Sequence, residues 1–436
     1  MLRSPRDRHG RFVNYAHTIR TSPVTWLSPR TEDEIAEAVT AAAKWGRRVK
    51  VVGAGHSWSP VAAPEDVAVR LDRIRGIVDQ GDEWVRVKAG TRLRHVLASL
   101  AAQGRTLAVV PSIAQQSISG AVATGTHGSS LQHGSLSSLV IGARLIGGDG
   151  IPVEVHGDDE RIHGLSVHLG ALGVLTELTL RTTPCFDVAE SIEQMPVGQV
   201  ADCLEELGRS AEYVKIWWLP HTPMALVFRY ERTGEPGNRF PSADTQRALE
   251  NWLPRAVLPP LFKWQEYRPG SIPAFNRLSH RWLTKPRRVG PGALMLSTPE
   301  PVRHHETEAS VPLSRGGEAF ACTVDLIRRL MTPVNFILEL RYSRGDQIWL
   351  SPAHGGDVVH IGACTAMTGT RSDYFELFWQ EMRRFEARPH WAKEMDHEAP
   401  ELRPMYPMFD RFLQLRQSFD PGRFFANTFL DRILGP

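Results

Sequence analysis

Apolar residues in the first part of the chain recur with a helical period, and short extended runs lie between them. Ile35, Val39 and Ala42 are three or four residues apart, and Thr31 precedes acidic residues that suit the first turn of a helix. The pattern up to position 182 predicts helices over about 31–46 and 91–103 and strands near 48–53, 74–79, 84–89, 139–147, 151–156 and 175–182. Such alternation predicts helices layered on a sheet.

The composition changes after Pro184. Residues 186–394 are richer in Trp, Pro and Arg, and the prolines interrupt the apolar pattern, so that it predicts no topology for 200–300. The clear pieces of this middle part are helices near 314–330 and 372–386 and strands near 335–341 and 357–366. Near the chain end, a helix is predicted to stop at the turn Asp420-Pro-Gly422.

The bulk properties narrow the class of protein. A chain of 436 residues exceeds one ordinary core, so two domains are expected. The net charge of +3 gives no argument for a nucleic-acid or membrane partner, and no apolar run is long enough for a membrane span. The four cysteines lie far apart without a CxxC pair, which favours neither a metal site nor a disulfide framework and fits a cytoplasmic protein.

The most informative motif is the loop Val51-Val-Gly-Ala-Gly-His-Ser-Trp-Ser59. Its two glycines follow a predicted strand, and they let the backbone turn several N–H groups toward one point. Such a nest of donors suits a phosphate or pyrophosphate, although a simple strand-to-helix turn has the same glycine pair. His56 places an imidazole at the edge of this loop, either as a nucleophile toward a cofactor or as a turn residue that bonds only to backbone.

A second unusual stretch covers residues 105–140. Small and hydroxyl-bearing residues fill it from Ser112 to Ser130, glycines are frequent, and the periodicity is weak. Backbone with small side chains can run close beside a bound ligand, so we expect this stretch to line a ligand site. A tightly packed glycine-rich corner is the alternative that this composition leaves open.

Seven separated segments of the chain match one family in the same order. They are Gly53-Ala-Gly-His-Ser57, Ser117-Ile-Ser-Gly-Ala-Val-Ala-Thr-Gly-Thr-His-Gly128, His168-Leu-Gly-Ala-Leu-Gly-Val174, Glu339-Leu-Arg341, Trp349-Leu-Ser-Pro352, Arg388-Pro-His-Trp-Ala-Lys393 and the ending from Tyr406 to Asn427. Each motif alone is weak, but their order makes a chance agreement very improbable. With these segments the chain resembles FAD-linked oxidases of the vanillyl-alcohol oxidase superfamily, in the sugar branch that contains gulonolactone, arabinonolactone and alditol oxidases.

The resemblance implies an α+β fold with two domains. One is an FAD-binding domain of the PCMH type, and the other is an α+β cap domain that carries an antiparallel sheet. By this division residues 1–185 and the C-terminal return 395–436 form the FAD-binding domain, and residues 186–394 form the substrate-binding cap. The change of composition at Pro184 agrees with the first boundary.

The resemblance also implies which residues bind FAD. The histidine that matches His56 is bonded covalently to the 8α-methyl carbon of the flavin, and no cysteine matches a second attachment point, so one bond is expected. Val174 matches a position whose backbone meets the adenine, with an ordinary strand valine as the alternative. The implied cofactor-binding residues are His56, Gly53, Ala54, Gly55, Ser57, Ser59, Pro111, Ser117, Gly120, Thr124, Gly125, His127, Gly128, Val174 and Asn427.

Four residues are implied to act on the substrate, namely Lys393, Arg341, Glu339 and Ser112. Glu339 and Arg341 are two positions apart on a predicted strand, so their side chains share one face and are expected to pair. A surface ion pair of little consequence is the alternative. Lys393 matches a lysine that reaches the hydroxyl being oxidised. If it is buried beside an arginine, its pKa is expected to be lowered so that it can accept a proton, whereas a solvated surface lysine is the alternative.

The remaining matches concern the electron acceptor and the size of the substrate pocket. Ser112 matches a serine that contacts substrate in alditol oxidases, and Pro111 matches a gate position at which proline or glycine usually accompanies the use of oxygen. One segment departs from the family, because His360-Ile-Gly-Ala-Cys-Thr-Ala-Met-Thr368 replaces bulky or aromatic residues and predicts a wider pocket. Trp217 and Trp218, if they face that pocket, would stack on a sugar ring or an apolar group.

The implied function is oxidation of a hydroxyl group on a polyol or aldonolactone. A hydride passes to flavin N5, and oxygen is then reduced to hydrogen peroxide. The expected partners are therefore the small-molecule substrate and oxygen. The alternatives are a dehydrogenase with another electron acceptor, a tailoring oxidase for a larger metabolite, and a flavin-binding protein without catalysis.

Overall fold

The computed structural model of the chain describes residues 5–237, 256–280, 287–297, 302–366 and 368–435, without the side chains of 368–370 and 372. Met367 and the side chain of Thr368, which end the segment predicted to widen the pocket, lie outside this description.

The first part of the chain forms short sheets with helices beside them. Its helices are α1 Glu32–Lys44, α2 Leu93–Ala101, α3 Ile118–Ala123 and α4 Arg161–Leu165. Its strands are β1 Phe12–Val13, β2 Arg20–Thr21, β3 Thr25–Leu27, β4 Val49–Val52, β5 Val67–Arg70, β6 Ile77–Gln80, β7 Trp84–Lys88, β8 Arg105–Thr106, β9 Val140–Ile146, β10 Pro152–His156, β11 Val174–Arg181 and β12 Thr183–Pro184. Strands β3, β5 and β4 form a parallel sheet, and β10, β9, β11, β7 and β6 form an antiparallel sheet in that order.

Helix α1 shows how local sequence sets these elements. The hydroxyl oxygen of Thr31 accepts a hydrogen bond of 3.2 Å from the backbone N–H of Glu34, and acidic residues occupy the first turn, where they favour the helix dipole. Ile35, Val39 and Ala42 are buried on one face of the helix, as their spacing predicts. The other helix and the strands predicted for this part are also confirmed, with shifted ends.

The later part of the chain forms one large sheet and the helices around it. Its strands are β13 Asp187–Pro196, β14 Tyr213–Trp218, β15 Met224–Thr233, β16 Arg288–Pro291, β17 His305–Pro312, β18 Leu338–Ser343, β19 Val358–Thr365 and β20 Arg388–Pro389. Its helices are α5 Val197–Asp202, α6 Leu204–Arg209, α7 at 256–267, α8 Ile272–His280, α9 Gly292–Met295, α10 Gly316–Arg329, α11 Thr368–Met382, α12 Ala399–Met405, α13 Phe409–Phe419 and α14 Thr428–Leu434. All strand pairs are antiparallel, in the order β16-β13-β15-β14-β18-β19-β17-β20.

The two faces of this eight-stranded sheet differ in character. On one face, Val311, Leu340 and Ile361 are buried and share an apolar core with residues of α10 and α11. Side chains alternate along a strand, so the residues between them point to the opposite face. There β17, β18 and β19 carry Glu308, Arg341 and His360. The alternation thus gives the sheet an apolar side that packs and a charged side that is available for chemistry.

Two apolar clusters account for most of the core. The first contains residues from Ile35 to Leu180, then 348–350, and then residues from Trp391 to Leu434. The second contains residues from Leu131 to Ala387. We propose that the clusters correspond to the FAD-binding and cap domains predicted with boundaries near 185 and 394. Residues 348–350 fall within the predicted cap range of 186–394, but their side chains pack in the first apolar cluster.

The structure contains elements that the sequence pattern does not predict, among them β5 and α4, and it shifts the bounds of others. Helix α3 lies inside the stretch 105–140, where the weak periodicity predicts no element. Strand β18 begins at Leu338 rather than at Asn335, whose side chain accepts a hydrogen bond of 3.1 Å from the N–H of Ala366. Helix α11 begins at residue 368 rather than 372.

No helix within the described ranges is long and apolar enough to cross a membrane.

Candidate active site

The glycine loop after β4 is held by the N-terminal segment. Gly55 has a φ of +71°, a left-handed conformation that favours glycine. The N–H of Tyr15 donates a hydrogen bond of 2.6 Å to the carbonyl of Gly55, and the amide of Asn14 donates one of 3.0 Å to the carbonyl of Ser57. The ring of Tyr15 also stacks on His56 with centroids 4.8 Å apart. These contacts fix the backbone on both sides of His56.

A groove of about 90 Å³ runs along this loop. Its walls come from the glycine loop, from the start of α3 and from the turn before β11. The residues that line it include Lys50, Gly53, Ala54, Gly55, His56, Ser57, Gln116, Ser117, Gly120, Thr124, His168 and Gly173. We call it the cofactor groove.

Polar atoms without partners point to a polar ligand in the cofactor groove. Ser117 Oγ, Gln116 Oε1, His56 Nδ1 and His168 Nε2 are buried and have no hydrogen-bond partner within the described part of the chain. Buried polar atoms are costly without a partner, so four of them along one groove indicate a site that a ligand completes. A Cβ atom at Gly53 would lie 2.3 Å from Ser117 Oγ, so only glycine leaves this space free. The residues present therefore fit FAD.

A second cavity of about 310 Å³ continues from the groove. His56 and Gln116 line both spaces, so the groove and the cavity adjoin at these two residues. We call it the reaction cavity. Its lining includes the predicted residues Pro111, Ser112, His127, Glu339, Arg341 and Lys393 together with Trp58, His304, Glu306 and His390. The four predicted substrate residues are thus brought to one cavity, although Ser112, the Glu339 and Arg341 pair, and Lys393 lie far apart in sequence.

Glu339 and Arg341 are paired as their spacing predicts. Arg341 Nε lies 3.3 Å from Glu339 Oε2, and the indole N–H of Trp217 donates a hydrogen bond of 2.7 Å to Glu339 Oε1. Arg341 has a second acidic partner on β17, because its Nη2 donates a hydrogen bond of 2.8 Å to Glu308 Oε2. Burial alone would raise the pKa of Glu308, but His127 and Arg341 hold that pKa well below its usual range.

Lys393 is a buried cation, and this corrects the expectation of a lowered pKa. Its ammonium group is hydrogen-bonded to Glu306 Oε2 and lies 4.1 Å from the centre of the Trp58 ring. Burial disfavours the charged form, but the attraction of Glu306 and Glu308 outweighs burial and raises the pKa of Lys393. The prediction considered the neighbouring arginine but not the two carboxylates from β17. In its resting state Lys393 is therefore a hydrogen-bond donor rather than a base.

His127 joins the glycine-rich stretch to the charged face. Its Nδ1 lies 2.9 Å from the carbonyl oxygen of Gly128, and its Nε2 lies 2.8 Å from Glu308 Oε1. Both partners are acceptors, so the two bonds are satisfied when both ring nitrogens carry protons. The ring stacks on His360 at 3.6 Å between centroids. His360 in turn bonds to the hydroxyls of Ser310 and Ser343 at 2.8 and 2.9 Å.

His56 is neutral and partly buried, with its Nδ1 atom shielded from solvent. Burial, with a smaller effect of Arg92, lowers the pKa of His56 to about 4. A neutral imidazole whose Nδ1 has no partner in the described structure retains a lone pair or an N–H for a ligand. This state suits the predicted covalent attachment, which stays a prediction.

Some predicted cofactor residues do not line the groove or the reaction cavity. Ser59 donates its hydroxyl hydrogen bond of 2.6 Å to the carbonyl of Trp391, away from both spaces. Asn427 caps α14 and donates bonds of 2.9 Å to the carbonyls of Pro60 and Ala63. These two side chains act as structural ties between chain segments. Gly125, Gly128 and Val174 are also absent from the lining of both spaces.

The expectation of a wider pocket at 360–368 is wrong at Gly362. A Cβ atom there would lie 3.3 Å from Glu306 Oε1 and 3.7 Å from Glu308 Oε2, so the carboxylates of β17 occupy the space. Of the two tryptophans considered for this pocket, Trp217 lines the reaction cavity, whereas Trp218 is fully buried on the other face of the sheet.

Sequence reasoning missed several residues of the site. Glu306 and Glu308 lie on β17, and Gln116 and His168 line the groove. Glu306 and Glu308 have the same two-residue spacing on a strand as Glu339 and Arg341, and this signal could have found them. Their role depends on pairing between β17 and β19, which the sequence does not reveal.

Comparison with known proteins agrees with this geometry. Residues 178–433, more than half of the chain, match the sequence profile of D-arabinono-1,4-lactone oxidase. The chain belongs to the D-arabinono-1,4-lactone oxidase family. The family match covers the large sheet and the C-terminal helices, and residues 24–156 match the profile of an FAD-binding domain, which covers the glycine loop.

Several members of related enzyme groups match this protein along nearly its whole chain. L-gulono-1,4-lactone dehydrogenase of Mycobacterium tuberculosis is 30% identical over 95% of this chain and 97% of its own length. Alditol oxidase of a Streptomyces species is 30% identical over 97% of this chain and 98% of its own length. L-gulonolactone oxidase of Scyliorhinus torazame is 28% identical over 97% of each chain.

The fold is shared with a solved structure of cholesterol oxidase from Brevibacterium sterolicum. That structure superposes with a TM-score of 0.83 at 18% identity and covers 98% of this chain and 96% of its own. The chain thus has the α+β fold of PCMH-type FAD-binding proteins. As a member of the D-arabinono-1,4-lactone oxidase family, it is an FAD-dependent oxidoreductase that acts on CH–OH groups.

Proposed function

We propose that the protein oxidises a hydroxyl group of an aldonolactone or polyol and uses oxygen as the electron acceptor. The observation that carries the proposal is the charged wall of the reaction cavity. There the Lys393–Glu306 pair and the Arg341–Glu339 pair line the cavity that adjoins the cofactor groove at His56, and Glu308 bonds to Arg341 without lining the cavity. The named activities of the relatives support the substrate class.

The residues of the charged wall can bind and polarise such a substrate. When bound, FAD supplies the hydride acceptor, and the protein supplies orientation and electrostatics. Lys393 donates a hydrogen bond to the substrate oxygen as it becomes a carbonyl oxygen, and the hydroxyl proton is released to solvent water. Glu306 orients the ammonium group of Lys393. Burial alone would raise the pKa of Glu306, but Lys393 holds it at about 2, so this carboxylate is a poor proton acceptor. Glu339 and Arg341 bind neighbouring hydroxyl groups as acceptor and donor, and Ser112 adds a further hydroxyl contact.

The proposed oxidase and the alternative dehydrogenase differ in the electron acceptor that reoxidises the flavin. Pro111 lines the reaction cavity at the position that the resemblance connects with oxygen use. A dehydrogenase that passes electrons to another carrier is the second candidate, and the dehydrogenase among the relatives favours it. Both candidates require the same substrate site.

The test is a two-step assay on the purified yellow protein. L-gulono-1,4-lactone, D-arabinono-1,4-lactone, xylitol and sorbitol are each mixed with the protein without oxygen, and bleaching of the flavin absorbance is recorded. We expect at least one compound to bleach the flavin, and we expect air to restore the colour with one peroxide per flavin. Bleaching without peroxide selects the dehydrogenase, and no bleaching by any lactone or polyol contradicts the proposal.

The charge of Lys393 leads to a prediction on pH. Because its pKa is raised above the ordinary value of 10.5, Lys393 keeps its proton below that value and loses it only at higher pH. We therefore expect the rate constant of flavin reduction to change by less than about threefold from about pH 6 to 9. A lysine that acts as a base with a lowered pKa would give a rate that rises steadily over this range. Anaerobic stopped-flow measurements distinguish the two results.

A further inference from the structure

The reaction cavity has an apolar wall that the proposed chemistry does not use. Helices α7 and α8 cover part of the cavity, and the wall consists of Trp217, Leu258, Phe262, Phe275, Phe336 and Ile337. Phe262 packs edge-on against Phe336 at 5.8 Å between ring centres. These side chains come from three separate parts of the chain, so they form a surface that the fold assembles rather than a local hydrophobic run.

Of the three polar side chains in this part of the lining, Asn276 and Asn335 are occupied by structural bonds, and the third is Ser279. The amide of Asn276 donates hydrogen bonds to the carbonyls of Pro220 and Val334, at 3.0 and 3.4 Å. Asn335 donates to Gln265 at 3.2 Å and accepts from the N–H of Ala366 at 3.1 Å. A hydroxyl group of a ligand would therefore lose water at this wall and gain few partners. Such a loss is unfavourable, so a free sugar or polyol does not match it.

The apolar wall meets the charged wall at His304. The ring of His304 stacks on Phe336 at 4.7 Å, and its Nε2 lies 3.5 Å from Glu306 Oε2. On the charged side the cations are already neutralised, since Lys393 pairs with Glu306 and Arg341 with Glu308. Among the described residues, the cavity thus offers a polar reaction end whose two cations are both paired with carboxylates, and an apolar end beside it.

We infer that the substrate is an amphipathic molecule, in which the hydroxylated group that is oxidised carries an apolar alkyl, acyl or aryl substituent. The inference rests on the proposed function, because it places the oxidised hydroxyl at the charged wall. The substituent lies against Phe262, Phe275 and Phe336. A free aldonolactone or alditol fills only the polar end and reacts as a poorer substrate.

A series of substrates of growing chain length tests this inference. The 6-O-alkyl ethers of L-gulono-1,4-lactone, from methyl to hexyl, place the chain far from the lactone ring. Each buried methylene contributes enough hydrophobic free energy for about a threefold gain in kcat/KM, so we expect a steady rise along the series. The rate of anaerobic flavin reduction, measured against substrate concentration, gives the Kd of each ether separately. This Kd should fall as the alkyl chain grows and kcat/KM rises.

Matched variants locate the effect on the apolar wall. Phe262→Ala should flatten the dependence of Kd on chain length, because it removes a ring that lines the cavity. Trp264→Ala is the control, since Trp264 lies two residues away on α7 and is 51% exposed. A rise with chain length that Phe262→Ala flattens and Trp264→Ala preserves supports the inference.

Failure of the inference and failure of the proposed function give different results. If the parent lactone bleaches the flavin and the alkyl ethers do so no better, the inference is overturned and the proposed function stands. If no compound bleaches the flavin, the proposed function fails, and binding of the hexyl ether is followed through tryptophan fluorescence. Binding that Phe262→Ala weakens still supports an apolar ligand, and absence of binding overturns it.

Discussion

The variant Lys393→Met is expected to reduce flavin with a rate constant about 10²- to 10³-fold below that of the parent protein, which is the typical effect of removing one preorganised donor. The methionine has similar length but no hydrogen bond to donate, so the developing carbonyl oxygen loses its donor. It also leaves the Glu306 carboxylate buried without its cation, which further disfavours charge at the reacting oxygen. Anaerobic stopped-flow reduction by the best lactone or polyol measures the effect.

Two controls separate the loss of the donor from general damage. Lys263→Met changes an exposed lysine on α7 and should leave the rate unchanged. The double variant Lys393→Met with Glu306→Gln removes the unpaired carboxylate and should restore stability without restoring the rate. If Lys393→Met retains more than a tenth of the parent rate with its flavin bound, the assigned role of Lys393 is wrong.

The variant His56→Ala is expected to lose covalent attachment of the flavin completely. In the parent protein, yellow colour and fluorescence should stay with the polypeptide after acid denaturation, because a covalent bond survives unfolding. His56 suits this bond because it is partly buried and neutral at pH 7, with its pKa lowered to about 4, and it lies where the cofactor groove adjoins the reaction cavity. Denaturing gel fluorescence and the mass of the intact chain measure the attachment.

A second histidine provides the matched control for this experiment. His95 lies exposed on α2, and His95→Ala should keep the flavin attached. The variant His56→Ala should still bind FAD reversibly, since Ser117, Gln116 and His168 keep their unpartnered atoms in the groove. Release of all flavin from the parent protein by acid would contradict the covalent bond while leaving FAD as the cofactor.

The sequence predicts pairs within one strand better than contacts between strands. Glu339 and Arg341 share a face because side chains alternate with a period of two, and this rule needs no tertiary information. The partners Glu306 and Glu308 come from a strand that lies more than thirty residues earlier, and β19 lies between the two strands. Only the order of strands in the sheet makes these carboxylates neighbours of Arg341 and Lys393.

The electrostatic state of Lys393 illustrates the same limit. Burial beside an arginine is expected to lower the pKa of Lys393, whereas in the folded protein Glu306 and Glu308 outweigh burial and raise that pKa. Burial and paired charges have opposite effects on a lysine, and the direction depends on distances that only the fold sets. Likewise, Gly362 predicts empty space, but the long side chains of a neighbouring strand occupy it.

Local sequence pattern was sufficient to predict the glycine loop with His56, the helices and strands with clear periodicity, and the family. These features depend on local backbone geometry and on motifs that keep their order. The tertiary structure alone decided that Lys393 is a paired cation, that Ser59 and Asn427 serve as structural ties, and that an apolar wall adjoins the charged one. Those properties arise from contacts between distant segments, and such contacts exist only when strands and helices take their places in the fold.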